Sequence, residues 1–472
     1  MLLKKYVISQ VFLTFAFIYK YVEHISNQKI WYDDAHELLI SRASLLDFNS
    51  FNIISDHHIG FSIFLKFILN FISIDNIYIF LMVLNLFLIA LAFYLISKYT
   101  NEVWIVQIGQ LSLFFSTVFI DYIFRPKQYV FDYVIAIFLI LFLAKFINES
   151  VIVYFAFLLF TIFSNTLALY FLYPILKNLL KNIKSIKSLF TYFGLSIVAY
   201  FLLYNGYNKI VDSNFRDYWR SYYSETNLFT DLIYRNFMFL RNYLDFGFLS
   251  IFLLLICIGS YLLFKENKEL FTILITPFIV LNVGSLFSLY PLGAGRTDII
   301  IFPLISFAII YFFKFFNFNK VKPLLFFGLL IVLLYTNVNL IEREDNSEEI
   351  FNSISIAEYD KVYISYYSIP QFVLYREDLG LLNSRLNECN YKSKDARVKF
   401  LANGYNDEDR CQIKTDLNEI VNEINGQKIA ILGFDSKTQR LLAFTSSLDK
   451  NSYKINVIEF GTQEYIIEID SK

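Results

Sequence analysis

Apolar runs of bilayer-spanning length recur along this chain, and no other feature limits its fold so tightly. A helix needs roughly 17 to 22 predominantly apolar residues to cross about 30 Å of hydrocarbon. Eleven segments are candidates, at about 3 to 22, 76 to 97, 103 to 120, 128 to 147, 151 to 163, 166 to 180, 189 to 206, 246 to 264, 269 to 289, 298 to 315 and 322 to 341. The fifth and sixth are short and read equally as separate, merged or re-entrant elements. Over 472 residues the chain is 56% hydrophobic and only 18% charged, a balance that no water-exposed globule of this length needs for its core. A polytopic α-helical membrane protein is expected. The first run follows Met-Leu-Leu-Lys-Lys without a small-residue cleavage site and is expected to be a retained span. A net charge of -1 and a pI near 6.5 exclude a strongly basic nucleic-acid binder. No internal repeat is evident, which weighs against the inverted repeats of secondary transporters.

Charge placement sets an expected orientation. With the N-terminus cytoplasmic, the inner loops hold Lys4, Lys5, Lys98, Lys145, Lys177, Lys181, Lys184, Lys187, Lys265, Lys268, Lys314, Lys320 and Lys322, and no arginine. Every arginine before the C-terminal part then falls outside: Arg42, Arg125, Arg216, Arg220, Arg235, Arg241 and Arg296. Lysine satisfies the topology rule as a bare charge, whereas the planar guanidinium suits a bidentate grip on phosphate or carboxylate. Pairing with the outer acids Asp212, Asp217, Asp231 and Asp245 is the structural alternative for any one of them.

Past about Ile341 the character changes. "EREDNSEE" opens a polar linker, and "KVYISYY", "KIAILGF", "KINVIEF" and "EYIIEI" read as strands, with "SKTQRLLAFTSSL" helical between two of them. A small extracytoplasmic α/β domain over 342–472 is expected, after a membrane domain over 1–341 whose first outer loop is 23–75. Cys389 and Cys411 lie in that polar part, as a disulfide or as two thiols.

That loop concentrates chemistry. "WYDDAHELLIS" brings Asp33, Asp34, His36 and Glu37 together directly after an apolar run. In a helix Asp33 and Glu37 share a face and Asp34 points elsewhere. Partly desolvated carboxylates of this kind suit general-base work, and Asp is equally a preferred helix cap. "SDHHIGFSIFLKFILNF" adds Asp56, His57 and His58 before apolar positions at helical spacing, expected as an interfacial helix. All ligand types for a divalent metal are present in Asp34, His36, Glu37 and His58, without a diagnostic spacing.

These motifs, in order, resemble the GT-C superfamily of polytopic glycosyltransferases, in the branch of the protein O-mannosyltransferases and lipid A aminoarabinose transferases. The acidic pair after the first span, "DHHIGFSIFLKFI" with His58 where proline is common, "FRPKQY", "YPLGAGRTDIIIFPLISF" and "VYISYYSIPQFVLY" carry the likeness over most of the chain. The resemblance implies about 11 transmembrane helices with N-in/C-out topology and a sugar donor on polyprenyl phosphate. It implies use of that donor at the outer face of the cell membrane, with a lipid, glycan or protein acceptor and no required cofactor. Asp33 or Asp34 is then the base. Arg296 is the first choice for the donor phosphate, freed for close approach by Gly293 and Gly295 and backed by a helix start with Thr297 and Asp298 as caps. Arg125, His57 and His58 are further phosphate contacts, and Arg216, Arg220 and Glu37 are secondary. Other readings are a polysaccharide polymerase or ligase, a lipid-linked glycan transporter or flippase, and a membrane scaffold.

Overall fold

The structure, a computed structural model, describes residues 2–42, 59–182, 228–244, 249–287, 289–315, 321–336, 340, 346–365, 368–382, 391–401, 414–415, 420, 426–434, 445–446, 448, 452–460 and 464–471. The chain divides into two compact units. The first comprises Met1–Ser26, His58–Phe64 and Phe71–Ile341, and the second Asn27–His57, Leu65–Asn70 and Glu342–Lys472. One division falls between Ile341 and Glu342. Much of the first outer loop groups with the C-terminal residues.

The membrane unit is helical: α1 Leu2–Ser26, then, after α2 and α3, α4 Ile77–Thr100, α5 Trp104–Leu113, α6 Thr117–Ile123, α7 Tyr129–Phe146, α8 Ser150–Phe163, α9 Leu172–Asn182, α10 Leu228–Tyr243, α11 Leu249–Glu266, α12 Lys268–Leu286, α13 Phe302–Phe315 and α14 Lys322–Tyr335. The element α2 is Tyr32–Arg42 and α3 is Ile59–Leu69. Five stretches are long and apolar enough to cross a membrane: Leu2–Ser26, Ile74–Thr100, Tyr129–Phe146, Lys268–Leu286 and Arg296–Phe315. Eleven full-length crossings are therefore not reached among the described residues, and the 189–206 run lies outside them.

Two of the expected spans are broken. The run at 103 to 120 is not one helix, because α5 and α6 meet at 85°. Ser116 takes an extended backbone, accepts the Phe119 amide at 3.2 Å and donates to the Asn242 carbonyl at 2.7 Å. A hydroxyl that caps a new helix and also satisfies a buried carbonyl makes the break tolerable in an apolar interior. The run at 166 to 180 starts as a 3-10 helix, Asn165–Phe171, before α9.

Close packing within this unit relies on Gly259. A Cβ there would lie 2.0 Å from the Ala308 carbonyl oxygen, so α11 and α13 touch backbone to backbone.

In the second unit, all four expected strands form. The sheet runs β5-β4-β1-β6-β8-β7, with β1 Lys361–Ile364, β4 Val398–Leu401, β5 Lys414–Thr415, β6 Ile429–Phe434, β7 Tyr453–Phe460 and β8 Glu464–Ser471. A separate pair is β2 Gly380–Leu382 with β3 Tyr391–Ser393. Strand β1 lies parallel to β4 and β6, and β8 closes antiparallel on β6 and β7. Parallel central strands are covered on both faces, which explains the near-continuous apolar "IAIL" of β6. Tyr363, Leu401, Ile429, Ile431, Ile467 and Ile469 form the core. Helices α15 Ser347–Ser353 and α16 Ile369–Tyr375 pack in the same unit, and α2 packs on α16. The helix expected at "SKTQRLLAFTSSL" lies largely outside the described residues, as do Cys389 and Cys411.

Candidate active site

The acidic motif folds as α2. Trp31 opens it, its carbonyl accepting the amides of Asp34 at 2.9 Å and Ala35 at 2.8 Å, so Asp33 and Asp34 occupy the first turn. Carboxylates there meet the positive end of the helix dipole. Burial then sorts the four polar side chains. Asp34 is 0% exposed and Glu37 2%, whereas Asp33 and His36 are half-buried. The expected grouping of Asp33 with Glu37 thus gives way to a buried pair Asp34/Glu37, three residues apart, with Asp33 and His36 towards the surface. The i,i+4 spacing was a correct statement about a helix face, but Ala35, Leu38, Leu39 and Ile40 are all buried and carry Asp34 in with them.

Helix α2 is held at both ends within its unit. Gln371 of α16 donates through Nε2 to the Ile30 carbonyl at 3.1 Å, and Arg42 pairs with Glu377. Since each contact spans more than three hundred residues of sequence, nothing local announced either.

In the membrane unit, "YPLGAGRTD" is a tight turn in which Gly293 and Gly295 take φ of +85° and +83°. Asp298 is fully buried and holds the turn: it accepts from the amides of Gly293 and Gly295, each at 3.1 Å, and from Asn242 Nδ2 at 3.1 Å. Asn242 also donates to the Gly293 carbonyl at 3.0 Å. The expected cap is therefore Asp298, with Thr297 hydroxyl donating to the Pro291 carbonyl at 3.3 Å. The backbone amides of Gly293 and Gly295 are taken by this carboxylate. Arg296 is half-buried, on the first residue of a short 3-10 helix, Arg296–Ile301, that leads into α13.

Arg125 is placed differently. Its guanidinium is 0% exposed and binds Asp121 Oδ1 through Nε at 3.2 Å and Nη2 at 3.1 Å, over the Phe124 ring. A buried pair of this kind is costly to break. Arg235, 5% exposed, pairs with Asp231 in α10. That is the acid pairing which the sequence offered as the alternative to phosphate binding.

His57, His58, Asp56, Arg216 and Arg220 lie outside the described residues. Among the described residues no three His, Cys, Asp or Glu side chains gather in a metal-binding arrangement. Asn242 and Asp121 were missed in the sequence. Asp121 carried a usable signal, an acid four residues before an arginine in an apolar stretch, whereas Asn242 carried none.

No family model, curated protein or solved structure matches this chain.

Proposed function

We propose that this protein is an inverting glycosyltransferase of GT-C type that takes a sugar from a polyprenyl-phosphate donor at the extracytoplasmic face of the cell membrane. Its acceptor is a hydroxyl on a lipid, a glycan or a protein. Eleven crossings with the N-terminus inside, and the segregation of lysine from arginine, belong to the same reading.

The observation that carries it is the burial of Asp34 and Glu37 in the helix following the first span. Fully buried acids are rare, and this pair lies in the motif that the resemblance to GT-C enzymes marks. Asp34 is assigned as the general base. In that role it takes the proton of the acceptor hydroxyl as that oxygen attacks the anomeric carbon. The bond from the anomeric carbon to the phosphate oxygen breaks as the new glycosidic bond forms, and the configuration inverts. Such a base contributes roughly 10²- to 10⁴-fold in rate. The departing lipid phosphate gains negative charge, for which Arg296 is assigned as the donor clamp. Arg125 and the loop arginines Arg216 and Arg220 are secondary assignments, together with His57, His58 and Asp33. No step is routed through a divalent ion, whose ligands would be Asp34, His36, Glu37 and His58.

The test is comparison of surface glycans and glycolipids by mass spectrometry in cells with and without the protein. Loss of one sugar residue identifies donor and acceptor together. Loss of a whole polysaccharide with its monosaccharide donor chemistry intact would favour a polymerase or ligase, and accumulation of an unflipped lipid-linked glycan would favour a transporter.

A further inference from the structure

The membrane unit holds a buried acid that the proposed reaction does not use. Asp132 lies in the first turn of α7 and is 4% exposed. Of the other buried acids of the unit, Asp121 faces Arg125, and Asp298 is held by two backbone amides and Asn242. Asp132 belongs to no ion pair among the described residues. Its partners are hydroxyls: Ser164 Oγ donates to Oδ2 at 2.8 Å, and Thr166 Oγ1 does so at 3.4 Å. The two hydroxyl oxygens are themselves 2.8 Å apart. The other carboxylate oxygen, Oδ1, is buried and meets no donor among the described residues.

The backbone around these hydroxyls is broken. Helix α8 ends at Phe163, Ser164 is extended at φ −155° and ψ 128°, and the chain resumes as the 3-10 helix Asn165–Phe171. A helix end inside an apolar unit leaves last-turn carbonyls without intrahelical partners and carries the negative end of the dipole. Negative charge from Asp132 thus meets the negative end of α8, and among the described residues no basic side chain pairs with that acid. The N-terminus of α7 offsets part of this charge, and a cation bound at Oδ1 would offset the rest.

We propose that Asp132, Ser164 and Thr166 form a site for a dehydrated monovalent cation of sodium size, at the break between α8 and the 3-10 helix that follows it. The donor set is all oxygen, suited to a hard cation. A single carboxylate balances one positive charge, whereas a divalent ion would leave a buried excess. The unpartnered Oδ1 supplies the strongest ligand. Discontinuous helices with exposed carbonyl ends are the usual membrane setting for such ions.

The test uses the full-length protein in lipid nanodiscs. Radioactive sodium should bind saturably, be displaced by unlabelled sodium and not by choline, and the Tm should rise with sodium concentration at constant ionic strength. Asp132→Asn should abolish both effects, since asparagine can still accept the Ser164 hydroxyl but brings no charge. Ser164→Ala should weaken sodium binding about tenfold. Absence of saturable sodium binding, with equal Tm in sodium and choline, would overturn the site and leave Asp132 as a neutral acid. Unchanged sodium binding in Asp132→Asn would also overturn it. Should Asp132→Asn fail to fold, Ser164→Ala with wild-type sodium affinity would decide against the proposal in the same way.

Discussion

Gln371 donates a hydrogen bond to the carbonyl of Ile30 at 3.1 Å, and this ties the start of the acidic helix to the C-terminal sheet unit. Without it the Ile30 carbonyl would be buried and unpaired. Gln371→Leu should therefore cost about 1 to 3 kcal/mol in the unfolding of that unit. Thermal or denaturant unfolding of the full chain checks this, and an unchanged midpoint would mean that the bond is dispensable.

The turn carrying Arg296 depends on Asp298. Removing its carboxylate leaves two backbone amides and the Asn242 side chain without their acceptor in a buried setting. Asp298→Ala should destabilise the membrane unit by about 3 kcal/mol or more, with Asn242→Ala milder. Proteolysis rates of the nanodisc-embedded protein would show the order of the two variants.

For the buried pair Asp121 and Arg125, the single change Asp121→Leu should be worse than the double change Asp121→Leu with Arg125→Met. Loss of one partner leaves an uncompensated charge costing about 3 to 5 kcal/mol, and removal of both can be near neutral. Folded yield in detergent measures this directly. A double variant as poor as the single one would assign the arginine a role beyond pairing.

A pH effect is expected at the C-terminal sheet. Tyr359 donates to Glu468, and this bond, with a second from Asn456 at 2.8 Å, holds the Glu468 carboxyl below its ordinary 4.5. Burial foremost, then the same glutamate, pushes the Tyr359 hydroxyl above its ordinary 10.0. A depressed folded-state carboxyl contributes stability that is present above about pH 4.5 and lost as pH falls through the folded value. The tyrosine contribution is present below pH 10.0 and lost as pH rises beyond it. Because Glu468 is largely solvated, the effect is small. Tyr359→Phe should move the Glu468 titration upwards, read by carboxyl NMR, and an unmoved titration would contradict the coupling.

The parts that could be read from sequence are those set by local pattern. Alternating or continuous β-branched runs fixed β1, β6, β7 and β8, and hydrophobic length marked α4, α7, α12 and α13. What could not be read is where an apolar run stops being one helix. The bend at Ser116 sits inside a stretch that averages as apolar, and only its hydroxyl marks it, whereas the break at Ser164 falls between the runs 151 to 163 and 166 to 180 that the sequence already separates. Burial was equally illegible for Asp33 and Asp34, adjacent acids of one motif, because it depends on α16 some 330 positions later in the chain. Clamps such as Asn242 on Asp298 or Gln371 on Ile30 have no sequence signature for the same reason.

The most direct measurement is transfer of a labelled sugar from a synthetic polyprenyl-phosphate donor by purified protein, wild type beside Asp34→Asn and Asp33→Asn. Wild type should form product with inverted anomeric configuration, and Asp34→Asn should lose roughly 10²-fold or more while remaining folded and membrane-inserted. Full transfer by Asp34→Asn would contradict its assignment as the base, and retention of configuration in the wild-type product would contradict the single in-line displacement.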